Sequence, residues 1–303
     1  MEINLNRRRL TKNLEPYSWL SPSIILFAIF LVYPIIFSII LSFFEWRGYS
    51  TAIFNQFIGF QNFIKLFKDG LYWQSLKNTL ILVLVVVFIQ NAIALFLALI
   101  LYFGKFKYGN LIRAVIFFPG VISAIIIGLV FRKFLELSGP VNVLLKSMGL
   151  AALAQPWLAT KSLTIWIVSI VTTWQWVGYN MVIFYAGLQN VDSSLLEAAY
   201  IDGASMGQAI LKIVLPLLRP VIFLSMILNF IGGFRIYDII WATTRGGPVH
   251  SSEVLTTYMY YQAFQSNGPS NMGYASAISV TLLLVVIIFA AVRIKFFAKE
   301  GGI

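Results

Sequence analysis

Charged side chains are scarce in this sequence, and those that interrupt its apolar stretches are where chemistry must reside. Arg235 and Asp238 stand three residues apart in one such stretch, a spacing that puts them on one face of a helix, where they can pair. Either charge alone costs about 2.5–3.5 kcal/mol at the centre of a membrane span. Pairing, or a place near the interface, lowers that cost; lining a polar path is the other use. An earlier stretch carries Thr172, Thr173, Gln175 and Asn180 among Trp174, Trp176 and Tyr179. Amides and hydroxyls mixed with aromatic rings suit a polyol, whose C–H faces pack on rings while its hydroxyls hydrogen-bond. The same mixture also suits packing between membrane helices. The candidate path residues are Thr172, Gln175, Trp176, Tyr179, Asn229, Phe234, Arg235 and Asp238.

Bond-breaking chemistry finds no equipment. The sequence has no cysteine and one histidine, His250, which excludes thiolate sites and leaves little for a metal centre or a triad. His250 reads as an exposed loop residue. No phosphate-binding loop occurs: Gly104-Lys105 is followed by Phe106 and lacks the upstream glycine. No H-E-x-x-H or G-x-S-x-G motif appears either. No catalytic residue, metal or bound cofactor is expected on this chain.

The elements that must position these residues are apolar helices. Of 303 residues, 59% are hydrophobic and only 11% charged, against about 25% charged in ordinary soluble domains. A surface so poor in charge must face lipid. A span needs about 20 residues of helix, and six stretches qualify: 20–44, 78–103, 111–131, 163–188, 217–242 and 274–297. The first is interrupted by Pro34 and followed by Phe43, Phe44 and Trp46, so it reads as a retained span and not as a cleaved signal. Residues 1–19 and 298–303 form short terminal segments. The net charge of +11 sits in clusters flanking the spans: Arg7–Arg9 with Lys12, Lys105 with Lys107 and Arg113, and Arg293 with Lys295 and Lys299. That pattern predicts cytoplasmic termini by the positive-inside rule and offers no continuous basic face for nucleic acid. An all-α polytopic membrane protein is expected.

The segment 189–216 is expected in the cytoplasm and is too structured for a plain connector. Asp192, Ser193 and Ser194 offer N-caps, and Ser194 with Glu197 has the spacing of a capping box. Gly203 suits a left-handed helix stop, a second short helix begins near Ser205, and Pro216 opens the next span. Two short helices joined at a glycine, with an apolar face, await a protein partner.

Glu197-Ala198-Ala199, then Gly203 after three residues and Ile213-Val214-Leu215-Pro216 after nine more, resembles the EAA signature of ABC importer membrane subunits. FIGFQNFIKLF (57–67), SLKNTL (75–80), RAVIFFPGVIS (113–123), WQWVGYNMVIFYAGLQNV (174–191), TRGGP (244–248) and GYASAISV (273–280) resemble its carbohydrate-uptake branch, the maltose/glycerol-phosphate-like permeases. The resemblance implies a type I importer permease fold of six spans in a bacterial inner membrane. It implies four kinds of partner: the lipid bilayer, a second homologous permease, two copies of a cytoplasmic ABC ATPase that uses ATP, and an extracytoplasmic sugar-binding protein. It also makes Glu197, Ala198, Ala199, Asp202, Gly203, Leu215 and Pro216 the ATPase-coupling residues. Gly207 departs from the family, which often has a bulkier residue there. The competing function is an ion-coupled secondary transporter, which would want buried carboxylates in several spans; only Asp238 qualifies.

Overall fold

The computed structural model describes residues 20–48, 56–104, 106–265 and 270–299, with side chains as far as residue 291. The basic run Arg7–Lys12, Lys105, the side chains of the 293–299 cluster and the last residues lie outside this description. Among the described residues the regular elements are helices, and Phe44 and Phe57 form an isolated antiparallel bridge.

In chain order they are α1 (Leu20–Leu41), α2 (Gln61–Lys68), α3 (Gly70–Phe103), α4 (Gly109–Phe117), α5 (Ala124–Phe134) and α6 (Pro140–Ser147). There follow α7 (Thr164–Gln189), α8 (Ser193–Ile201), α9 (Met206–Phe234), α10 (Asp238–Thr243), α11 (Leu255–Tyr260) and α12 (Met272–Lys299). Among the described residues, α1, α3, α7, α9 and α12 are each long and apolar enough to cross a membrane, and α4 with α5 make a sixth if counted together.

Three of the expected spans differ in detail. The stretch 111–131 is not one rod. After the turn at Phe118–Val121, Ile122 and Ser123 take extended dihedrals, ψ 139° and 132°, and α4 and α5 meet at 93°. Pro119 supplies no N–H to continue the helix. The stretch 217–242 is also broken. Its helix ends at Phe234, after Gly232-Gly233, and restarts at Asp238. The second span begins early, at Gly70, because the Asp69 carboxylate accepts from Leu71 N at 2.9 Å and caps it.

The chain divides into two units, residues 1–68 with 262–281 and residues 69–261 with 282–303. In the first, Ser38 and Ser279 hydroxyls meet at 2.9 Å, and the Asn62 amide donates to the Ser42 and Phe44 carbonyls at 2.9 and 3.0 Å. The second is built around α7. Small residues let the backbones approach, as membrane packing requires: a Cβ on Gly178 would collide with the Ile116 and Phe117 backbone, and one on Gly187 would press on Leu218 and Val221. Across the other face, α5 packs on α10 through Gly128, where a Cβ would strike Ala242.

Candidate functional site

A cavity of about 410 Å³ opens within the second unit. Five helices and the break between α9 and α10 line it, with Ala124 the contribution of α5. In α3 the helix widens to a π turn over Val85–Gln90, and Val86 and Gln90 face the cavity. Such turns interrupt regular spacing and often accompany functional sites. From α7 come Thr172, Gln175, Trp176 and Tyr179, at i, i+3, i+4 and i+7, one face of a helix. From α9 come Asn229 and the glycine pair, the break beyond it supplies Arg235 and Tyr237, and Asp238 opens α10.

Carboxamides form the polar heart of this space. Asn229 Oδ1 accepts from Asn180 Nδ2 at 3.1 Å and from Gln90 Nε2 at 3.4 Å. Gln175 Nε2 donates to the Ile122 carbonyl at 3.1 Å. Gln90 Oε1, Gln175 Oε1, Asn180 Oδ1 and Asn229 Nδ2 have no partner among the described residues, although Gln90 and Gln175 are each 1% exposed. A buried polar atom left without a hydrogen bond costs about 1–3 kcal/mol. At the rim, Tyr237 stacks on Trp241 at 5.7 Å between centroids, and both rings meet Tyr260.

Seven of the eight path candidates therefore converge, and Phe234 does not. Its ring is 1% exposed and packs in the hydrophobic core with Phe230, 4.8 Å away. Arg235 and Asp238 also differ from expectation. The helix break between them removes the shared face, and among the described residues they form no ion pair; both line the cavity instead. Gln90 lies outside the sequence-derived candidates, although an amide pair, Gln90-Asn91, in an otherwise apolar run is a signal that sequence carries. Asn91 itself closes a packing contact, accepting from Ser225 Oγ at 2.7 Å.

The elbow between α7 and α9 is ordered by local bonds. Asp192 caps α8, accepting from Ser194 N at 2.9 Å. That backbone bond, then the Ser194 hydroxyl, hold its carboxyl below the usual range. The capping box lies elsewhere than expected: Ser205 and Gln208 exchange bonds at the start of α9, at 2.8 and 3.4 Å. Glu197 sits in the middle of α8, exposed, and its carboxylate makes no hydrogen bond or ion pair among the described residues. α8 closes with Gly203 at φ +82°. Ala204 N donates to Ala199 O at 2.9 Å and Gly203 N to Tyr200 O at 3.1 Å, the bond pair of a Schellman stop. Ala198, Tyr200, Ile201 and Asp202 are exposed, and Ala199 is half-buried. Leu196, Ala209 and Val214 turn the other way, into a core shared with Ala98, Leu101, Phe184, Leu188 and Leu218. Leu215 and Pro216 follow the π turn Ile210–Val214 at the root of the span.

His250 is not a free loop residue. Its Nδ1 lies 2.8 Å from Glu253 Oε2, and Glu253 is 2% exposed. Asn78 Nδ2 donates to the Ser251 and Glu253 carbonyls, both at 2.8 Å, and ties this loop to α3.

Comparison with known proteins agrees with this architecture. Residues 79–296 match the family model described as binding-protein-dependent transport system inner membrane component. The lactose transport system permease LacF of Rhizobium radiobacter is 34% identical over 97% of this chain and 98% of its own. The arabinooligosaccharide permease AraP of Bacillus subtilis is 31% identical over 96% and 91%. A chain in the crystal structure of a bacterial alginate ABC transporter, in complex with an alginate-pentasaccharide-bound periplasmic protein, superposes with a TM-score of 0.83 at 24% identity, covering 97% of this chain and 98% of its own. The chain is a multi-pass membrane protein, and it belongs to the family of inner-membrane permease components of binding-protein-dependent transport systems.

Proposed function

We propose that this chain is one half of the membrane channel of an ATP-driven sugar importer, with the cavity as its solute path and the elbow as its coupling to a motor. The observation that carries the reading is the carboxamide cluster. Gln90, Gln175 and Asn229 present both acceptors and donors without partners beside Trp176, Tyr179 and Tyr237. Sugar hydroxyls satisfy such atoms in pairs, and sugar C–H faces lie on the rings. Relatives named for lactose and arabinooligosaccharides point to the same chemical class. Thr172, Arg235 and Asp238 complete the polar wall.

The basic clusters beside residues 1–18, 104–110 and 298–303 orient both termini and the elbow to the cytoplasm. There the exposed face of α8, with Glu197, Ala198, Ala199 and Asp202, docks on an ATPase, one copy beneath this chain and one beneath a second permease. Leu215 and Pro216 pass its movement to α9. ATP resets the channel only if it binds the inward- and outward-facing states with different free energy. A helix rigidly anchored at Leu196 transmits that difference. An extracytoplasmic sugar-binding protein delivers solute to the opposite mouth.

The test is uptake of radiolabelled disaccharides into vesicles holding this chain, its partner permease and the ATPase, with the binding protein outside. Expected is uptake that needs internal ATP and every component. Uphill uptake by this chain alone under an ion gradient overturns the reading.

A further inference from the structure

A second recess, of about 480 Å³, lies where the end of α3 and the start of α4 meet α7; Tyr102, Phe106, Lys107, Tyr108, Arg113 and Tyr185 form its walls. It shares no lining residue with the solute cavity. It lies at the end of the unit that carries the elbow, because Leu101, Leu188 and Leu196 belong to one core.

Its charge is unbalanced. The Arg113 guanidinium sits 4.0 Å from the Tyr185 ring centroid and donates to the Asn110 side chain, and Lys107 Nζ lies 5.5 Å from the Tyr108 ring centroid. Neither cation forms an ion pair among the described residues. The walls have no carboxylate to offer: the sequence has none between Asp69 and Glu136, and none within Thr164–Gln189. Two cations held against aromatic rings, without an acidic neighbour, recruit an anion from outside the chain.

The surface leading away from the recess narrows the choice of anion. Leu111, Val115 and Phe118 follow at i, i+4 and i+7, and are 63%, 64% and 62% exposed. A soluble anion gains nothing from such a strip, whereas an acyl chain covers it. Basic recesses between spans on the cytoplasmic side are suited to anionic headgroups. We propose that this recess holds the phosphate of an anionic phospholipid between Lys107 and Arg113, with an acyl chain along Leu111, Val115 and Phe118. The orientation proposed above supplies the leaflet; sugar transport plays no part in the inference.

Native mass spectrometry of the full-length chain, released from micelles doped with phosphatidylglycerol or phosphatidylcholine, tests it. Expected is preferential retention of phosphatidylglycerol, weakened about fivefold by either Arg113→Gln or Lys107→Gln, the size of one basic contact near an anionic surface. Arg113→Lys keeps the charge and is expected to retain the lipid, which separates loss of charge from loss of fold. Equal retention of the two lipids, or glutamine variants that bind as the parent does, overturns the proposal. Displacement of the lipid by soluble glycerol phosphate at equal concentration also overturns it, in favour of a free anion. Lipid retention is read on this chain alone, so a failure of ATP-driven uptake leaves the result distinguishable.

Discussion

Single residues decide the elbow and the cavity in different ways. Gly203 has open space around the position a Cβ would take, so its requirement is conformational: φ is +82°, and other L-residues pay about 1–2 kcal/mol to adopt that region. Gly203→Val is therefore expected to abolish uptake while the chain still reaches the membrane, and Gly203→Asn to retain much of it; uptake measured beside membrane quantity by immunoblot decides. Asp192 contributes through its ionised carboxylate, which the Ser194 N–H stabilises. Its folded pKa is depressed, so its cap on α8 is fully present above the unfolded value near about 4 and is lost as pH falls through the lower folded value. Protection of the α8 amides, taken relative to intrinsic exchange at each pH, is expected to fall only in that acid window, and in Asp192→Ala to be reduced already at neutral pH. In the cavity, Asn229 accepts two amide bonds. Asn229→Leu is expected to cut uptake at least tenfold and also to lower Tm, because the buried Asn180 and Gln90 amides lose their acceptor; unaltered transport would remove Asn229 from the path.

At the scale of elements, close approach between α4 and α7 rests on one missing methyl group. A Cβ at Gly178 would meet only backbone, at Ile116 and Phe117, and backbone cannot swing aside as a flexible side chain can. Overpacking of this kind costs about 1–3 kcal/mol, so Gly178→Leu is expected to lower the thermal midpoint and the yield of folded chain, whereas substitution at Gly207, where a Cβ meets nothing, is expected to leave both unchanged. The contrast marks what a sequence can disclose. The elbow was legible because caps, Gly203 and Pro216 act over a few residues. The α7 face was legible because Thr172, Gln175, Trp176 and Tyr179 keep helical spacing. What sequence hid was long-range or concerned helix continuity. The pairing of Arg235 with Asp238 assumed a helix that ends one residue before Arg235, and Phe234 lost its place on the path because a core formed by residues distant in sequence claimed its ring. The 93° bend between α4 and α5 had a local sign in Pro119-Gly120, but its size depends on the partners each half finds. Gln90 reaches the cavity from a π turn in α3, which no hydrophobic period announces.

Across the whole molecule, the question raised by the proposed function is whether an elbow that docks an ATPase would only hold it or would also move the channel. Its two faces answer differently. The outer face, from Glu197 to Asp202, is available to a partner; the inner face is fixed by Leu196, 7% exposed, against Leu188 at the end of α7 and Leu218 in α9. If force passes through that contact, then truncating it separates docking from transport. Leu196→Ala removes buried methyl groups and loosens the local core by about 2–5 kcal/mol, yet leaves Glu197 and its neighbours unchanged on the surface. The expected result is co-purification of the ATPase near the parent level, continued ATP hydrolysis, and a ratio of sugar moved to ATP hydrolysed that falls severalfold. Glu197→Lys is the complement: it places the wrong charge on the docking face and is expected to lose the ATPase and uptake together. Parallel loss of docking and uptake in both variants would show that Leu196 only supports the shape of the docking face, and the lever would then have to run through Leu215 and Pro216 alone.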